Sequence, residues 1–471
     1  MVQRRPREGE KQMKFIAVVL SACIVAACGG GGGGGSPTPV VKVEFHGVAA
    51  SYKPVNGGTV EIRCDGFLGY SAMASTDSAG RWSANVPEQN LPCRLQVSGG
   101  DLPKGQTYTV IAAKAGIINI TPLAELLVSM VLKNDPKLIF QYSKSNSVYA
   151  NYANMSPNKI EENIVGSATK MQDIFSQIEG WANIKNVNPL ESQFEAKGGD
   201  LAFELLRLYD QKVINHRIMM YLVSDGTTFT LQNVKNELSR QENTHFAWDA
   251  AVVWLPEADA PTGISSLKSL STTAPVAVGM HGCNGLGTMP STWGYELAKL
   301  GYLVVMPDSV SRPDRIGRFT CQAGVAGVGN DDIWLMRTEE AHYSIRQVLR
   351  NASWWNGRQL LLFGQSEGGA TVYGQSSGGN EGNLFFGVTA AIVSGYWCGG
   401  GNTIASIAPT LTVAYRNDPW YYGKPMYSGI RCGGGVEGWK SVQLDGAFHN
   451  AFDTDAGKAA VLDYAKWHLT Q

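Results

Sequence analysis

Six short apolar runs punctuate the second half of the chain: "APVAVGM" (274–280), "GYLVVMP" (301–307), "RQLLLFG" (358–364), "GVTAAIVSG" (387–395), "TLTVAY" (410–415) and "SVQLD" (441–445). Helical patterns lie between several of them, for example "LMRTEEAHYSIRQVL" (335–349). Runs this short and this uniformly apolar are buried on both faces. Their alternation with helices predicts a mostly parallel sheet covered on either side. The expected architecture of residues 243–471 is therefore α/β, with its chemistry at the carboxyl ends of the strands.

"FGQSEGG" (363–369) sits where one of these strands turns sharply into a helix. A strand–turn–helix serine flanked by glycines has the form of a nucleophile elbow, in which Gly364 and Gly368 avoid clashes where strand and helix approach closely. The hydroxyl of Ser366 needs a base, and the base an orienting acid. "YRNDPW" puts Asp418 just past the strand at 410–415, and "LDGAFHNAFD" puts His449 in the loop after the next strand. Asp445 and Asp453 do not follow the preceding strand and read as solvated or turn residues. His468 lies in a terminal helical pattern. Ser366, Asp418 and His449 are thus the candidate triad. A tetrahedral oxyanion also needs donors. The backbone N–H of Glu367 is one candidate, and the N–H of Cys283, in "MHGCNGLG" (280–287), is the other. His281 is expected to hold that loop by hydrogen bonds. The Glu367 carboxylate, at a helix N-terminus, is expected to point to solvent and favour the helix dipole. Trp397, Trp420, Tyr421 and Tyr422, in "GYWCGGG" and "DPWYYG", are candidates for an aromatic substrate pocket.

With "HGCNGL", "GYLVVMPDSVSRPDR" followed by Cys321, and "GQSEGG" in place, residues from about 245 to 471 resemble the α/β-hydrolase superfamily, dienelactone-hydrolase-like proteins in particular. "HGC" also resembles the corresponding motif of polyhydroxybutyrate depolymerases and related secreted esterases. The resemblance implies a serine hydrolase of carboxylic esters that needs no metal or organic cofactor. Dienelactone hydrolases use a cysteine nucleophile. Ser366 at that position favours a general ester hydrolase over a dienelactone substrate. A polyester depolymerase, a peptidase or amidase with the same triad, and a non-catalytic surface binding lipoprotein are the alternatives.

The N-terminus reads as an export signal. "MKFIAVVLSACIVAAC" (13–28) has a lysine, an apolar stretch too short for the about 20 residues of a membrane span, and small residues up to Cys28. "VAAC" resembles a lipobox, which would make Cys28 the lipidated residue and attach the protein to a membrane. Gly29 after it, rather than aspartate, suggests the outer membrane of a diderm cell. "GGGGGGGSPTP" (29–39) follows as a flexible tether. The formal net charge of −1 gives no basic excess for nucleic acid, and 44% hydrophobic residues with 17% charged argue against wholesale disorder.

Cysteine usage fits an oxidising compartment. No C-x-x-C spacing for zinc occurs. Cys64 and Cys93 fall in one stretch and are expected to pair. Cys283 with Cys321, and Cys398 with Cys432, follow neighbouring strands and are expected to pair likewise. Residues 40–118 carry short alternating segments between turn signals such as "NGG", "DSAG" and "PKG". They predict a small β-sandwich, which resembles carboxypeptidase-regulatory-like modules. Residues 119–242 predict helices. Thr121 and Ser156 are N-caps, each followed by proline, and Ile160, Ile164, Met171, Phe175 and Ile178 form one apolar stripe. Residues 200–223 read as one further helix. His216 within it is expected to be structural.

Overall fold

A computed structural model describes residues 41–65, 69–103, 105–141, 147–315, 321, 331–376, 387–396, 408–420 and 438–471. Cys28, Trp397, Cys398, Tyr421, Tyr422 and Cys432 lie outside the described residues.

Fifteen strands are described: β1 (Lys42–Val48), β2 (Gly58–Cys64), β3 (Tyr70–Ser75), β4 (Arg81–Pro87), β5 (Cys93–Gly99), β6 (Thr107–Ala112), β7 (Gly116–Ile117), β8 (Val252–Trp254), β9 (Thr262–Gly263), β10 (Ala274–Met280), β11 (Leu303–Met306), β12 (Trp355–Gln365), β13 (Ala390–Ser394), β14 (Thr410–Tyr415) and β15 (Lys440–Leu444). The helices are α1 (Pro122–Leu132), α2 (Pro136–Gln141), α3 (Ser147–Ala153), α4 (Pro157–Phe175), α5 (Leu201–Lys212), α6 (His216–Ser224), α7 (Leu231–Glu242), α8 (Thr244–Asp249), α9 (Tyr295–Lys299), α10 (Asp331–Leu349), α11 (Glu367–Ser376) and α12 (Asp455–Leu469).

The last eight strands form one sheet in the order β15-β14-β13-β12-β10-β11-β8-β9. From β15 to β11 every pairing is parallel, while β8 and β9 add an antiparallel edge. The apolar runs of β10, β11, β12 and β13 are buried because each of these strands feeds two cores, whereas β15, at the sheet edge, is half-buried or exposed throughout, contrary to the reading of its run as buried on both faces. Val276, Val278, Leu360, Leu362 and Val393 point to one face, under Ala341, Ile345 and Val348 of α10. Ala277, Val304, Leu361, Phe363, Ile392 and Val413 point to the other, under Trp293, Leu297, Val461 and Tyr464. This mostly parallel sheet, flanked by helices on both faces, is the α/β-hydrolase fold. The chain goes from β10 outward to β11, then returns to the other side of β10 as β12. A crevice forms at such a reversal, outside the strands' carboxyl ends.

The N-terminal β-rich region has two sheets, β4-β1-β7 and β3-β2-β5-β6. Strand β3, "YSAMAS", carries no run of branched residues, and the sequence reading passes over it; its pairing with β2 holds it in place. Side chains from both sheets share one core with the helices that follow, from Phe45 and Val60 through Leu126 and Phe175 to Leu238. Thr121 and Ser156 cap α1 and α4 as their sequence predicts, accepting from Ala124 and Lys159 N–H. The helix expected over 200–223 is two helices. The Val213 N–H ends α5 on the Tyr209 carbonyl, and the Asn215 side chain caps α6 by accepting from Ile218 N–H. The buried Gln241 side chain accepts from Ile214 and Asn215 N–H, satisfying the backbone that the break exposes.

Candidate active site

Parallel pairing brings the ends of β10, β12, β13, β14 and β15 to one edge of the sheet, so the residues that follow them converge. Ser366 comes directly after β12 and has φ +57°, one of three non-glycine residues in the left-handed region among those described. That backbone costs about 1–3 kcal/mol and persists only where its surroundings impose it. Here they do. The Ser366 N–H donates to the Ser394 carbonyl at the end of β13 (2.9 Å), and its own carbonyl accepts from Ala370 N–H in α11 (2.8 Å). A side chain on Gly368 would collide with the Met280 carbonyl, and one on Gly364 with the Gly368 carbonyl. The glycines let α11 start against β10 and β12.

Asp418, past β14, is buried, and both its carboxylate oxygens lie on His449 Nδ1, at 2.9 and 2.8 Å. The carboxylate thereby fixes the imidazole's orientation from the Nδ1 side. Asp418 Oδ1 also accepts from Trp420 N–H (2.9 Å), and the Trp420 ring stacks on His449 with centroids 5.2 Å apart. Ser394 ties this loop to the elbow, since its hydroxyl oxygen accepts from Ala451 N–H (2.8 Å) while its carbonyl holds Ser366. Neither of the other nearby carboxylates touches the ring. Asp445 pairs with Arg416 at an exposed position, and Asp453 accepts from the His449 and Asn450 N–H groups in a capping box. His468 is buried between the hydroxyls of Tyr302 (2.8 Å) and Thr389 (2.7 Å), and burial lowers its pKa to about 4.

The loop after β10 faces the elbow. A Cβ on Gly282 would stand 3.3 Å from Ser366 Cβ. His281 is buried and directs this loop. Its Nε2 accepts from Ser309 N–H (2.9 Å), so Nδ1 carries the hydrogen and donates to the Gly282 carbonyl (2.6 Å). Burial, reinforced by the Arg337 charge, holds the His281 pKa well below its ordinary value and keeps the ring neutral. In a trans peptide the carbonyl and the next N–H point opposite ways. Holding the Gly282 oxygen on His281 therefore turns the Cys283 N–H away from that ring. Among the described residues, neither Cys283 N–H nor Glu367 N–H has a protein acceptor.

The Glu367 carboxylate departs from its expected place. It is not at the solvent: its side chain is 13% exposed and bridges Arg315 (2.9 Å) and Arg337 (3.2 Å). Both arginines are buried and reach the loop after β10. Arg337 donates to the His281 carbonyl (2.7 Å) and Arg315 to the Cys283 carbonyl (3.2 Å). Two buried cations attract the carboxylate more strongly than the helix N-terminus can. Glu340 completes the cluster, accepting from Arg337 (2.7 Å) and Ser309 (2.8 Å). Sequence reasoning missed this network. The charges in "SRPDR" and "MRTEE" were visible, but their burial becomes apparent only once α10 lies across the strand ends. Cys283 is bonded to Cys321, with Cα atoms 5.6 Å apart, which adds a covalent tie to the same loop, and Cys64 is bonded to Cys93 between β2 and β5.

No family model and no curated protein matches the chain. Among solved structures it is similar to an alpha-beta serine hydrolase homologue from Coxiella burnetii, at 14% identity over 46% of this chain and 90% of that one, with a TM-score of 0.29. It is likewise similar to a dienelactone hydrolase from Anabaena variabilis, at 14% identity over 47% and 90%, with a TM-score of 0.31. A dienelactone hydrolase-like promiscuous phosphotriesterase from metagenomic libraries gives 15% identity over 42% and 87%, with a TM-score of 0.31.

Proposed function

We propose that this chain is an exported serine hydrolase that cleaves carboxylic esters through Ser366, His449 and Asp418. The observation that carries the reading is the bidentate Asp418–His449 contact beside a serine held at positive φ. His449 Nε2 takes the Ser366 proton as Oγ bonds to the ester carbonyl carbon. The oxyanion so formed is held by the Cys283 and Glu367 N–H groups. Collapse breaks the bond to the alcohol, which leaves with the proton from His449, and Ser366 is acylated. Water then attacks the acyl-enzyme, giving its proton to His449, and the carboxylic acid departs as Ser366 is restored. Asp418 keeps the imidazole oriented and stabilises the imidazolium. Trp420 covers one face of His449 and would form part of the wall on the acyl side. Trp397, Tyr421 and Tyr422, expected in the same pocket, lie outside the described residues.

Lipidation of Cys28 would tether this chemistry to the cell envelope. Substituting Cys28→Ser should move the protein out of the detergent-extracted membrane fraction, and unchanged fractionation would leave a plain secretory signal. The catalytic reading is tested with p-nitrophenyl esters of graded chain length on wild type and His449→Ala. Turnover of at least one ester by the wild type, and its loss in a folded variant, is the expected result. Equal turnover by the two proteins would refute the assignment.

A further inference from the structure

A cavity of about 480 Å³ opens where the N-terminal sheets, the helical region and the α/β sheet meet. Its size lies within the roughly 300–1,000 Å³ of small-molecule sites. It is not part of the candidate active site. Thr389, which lines it, immediately precedes β13, and Ser394, which holds the elbow, ends that strand. Five residues of extended chain separate them by roughly 16 Å. The cavity therefore sits at the amino edge of the sheet.

The walls are apolar side chains from all three regions, among them Leu102, Pro122, Ile345 and Leu349. The charged groups around them are not balanced. Asp210 is taken up by Arg346 (2.9 Å) and by Arg350, and Arg346 also donates to the Val213 carbonyl (2.6 Å) and to the Asp210 carbonyl. That leaves Lys53 and Arg358, both exposed on the lining, with no ion-pair partner among the described residues. Asp101 is the one remaining lining acid, and Asp210 offsets only one of its two arginines, so the lining carries four cations against two carboxylates, an excess of two. Apolar walls favour a hydrocarbon tail, and the unpaired cations favour an anion at its end.

We propose that this cavity is a second, non-catalytic binding site for an amphiphile with one anionic headgroup. The tail lies against Leu102, Pro122, Ile345 and Leu349, and the headgroup lies near Lys53 and Arg358. The claim does not depend on the ester chemistry above.

Titration calorimetry of the full chain with hexanoate, octanoate, decanoate and decanol tests it. Decanoate should bind saturably, and each added methylene should tighten the dissociation constant by roughly fourfold at most, the ceiling for complete burial. Decanol should bind at least about tenfold more weakly than decanoate, the equivalent of losing one charge-assisted contact. The double variant Lys53→Glu with Arg358→Glu, at two exposed positions that should leave the fold intact, should weaken decanoate by about the same factor. Gln106→Trp, which narrows the cavity from a half-buried loop, should weaken decanoate and decanol together. Trp420→Ala, beside His449, should leave decanoate affinity unchanged. The proposal is overturned by absence of saturable decanoate binding, by equal affinities for decanoate and decanol, by affinity unmoved in the charge-reversed protein, or by affinity lost with Trp420→Ala.

Discussion

Two of the carboxylate–histidine pairs among the described residues stand in contrasting settings. In the helical region the buried Glu125 accepts from His216 Nε2 (3.0 Å) with one oxygen and from Thr109 N–H (2.7 Å) with the other. His216 Nδ1 is engaged by the Tyr209 hydroxyl (2.5 Å). Both ring nitrogens are committed, and the residues stand on helices that pack against β6. In the α/β region Asp418 and His449 stand on loops past strand ends, with Ser366 at positive φ on the same edge. On the proposed reading, the pair itself does not mark chemistry; what marks it is a pair carried beyond the ends of parallel strands, on the same edge as a serine at positive φ.

The largest effect should come from breaking the second pair. Asp418→Asn should preserve the fold and lower ester turnover by about four orders of magnitude, as loss of the orienting carboxylate does in triads generally. Asp445→Asn, at the exposed pair with Arg416, should leave turnover unchanged. If the second substitution does the damage, the acid has been misplaced. Breaking the first pair should act on stability instead. Glu125→Ala leaves the Thr109 N–H and the His216 ring without their partner, and should cost about 3 kcal/mol in denaturant unfolding. Turnover per folded molecule should be unchanged. Lost turnover in the folded fraction would dissolve the contrast between the two pairs.

A third histidine sharpens it further. His468 is buried with a pKa lowered to about 4, against 6.5 for the ordinary ring. Its folded pKa is depressed, so between those values the unfolded chain binds the proton and the folded one does not. Stability carried by the neutral ring is complete above pH 6.5 and is lost as pH falls toward 4, by up to about 3 kcal/mol. The unfolding free energy of wild type relative to His468→Gln should decline over that window. A difference that stays flat would mean that the ring is not held neutral. The smallest of these effects concerns the oxyanion loop. Replacing Cys283 and Cys321 together by alanine should lower turnover on the order of a hundredfold, the usual cost of one misplaced oxyanion donor. Full turnover in a folded double variant would make the bridge a staple only.

The centre of the α/β sheet was legible because β10, β11, β12 and β13 are buried on both faces, and uniform apolar runs such as "RQLLLFG" have few other uses. The elbow was legible because only glycine fits at Gly364 and Gly368. The antiparallel edge at β8 and β9 was not, since "VVW" and "TG" are too short to carry a period. Nor was the break at Val213–Asn215: the apolar pattern runs through it, and the Gln241 side chain that stabilises the break arrives from α7. Its own helix alone would direct the Glu367 carboxylate to solvent, but Arg315 and Arg337 reach it from distant segments. Local pattern locates an element, and contacts between distant segments decide where a charged side chain ends up.

The central claim is that Ser366 is the nucleophile of this constellation. Fluorophosphonate labelling followed by peptide mass spectrometry tests it most directly. One label per chain is expected on the peptide containing Ser366, and none on a folded Ser366→Ala variant. A label on another residue, or equal labelling of the variant, would contradict it.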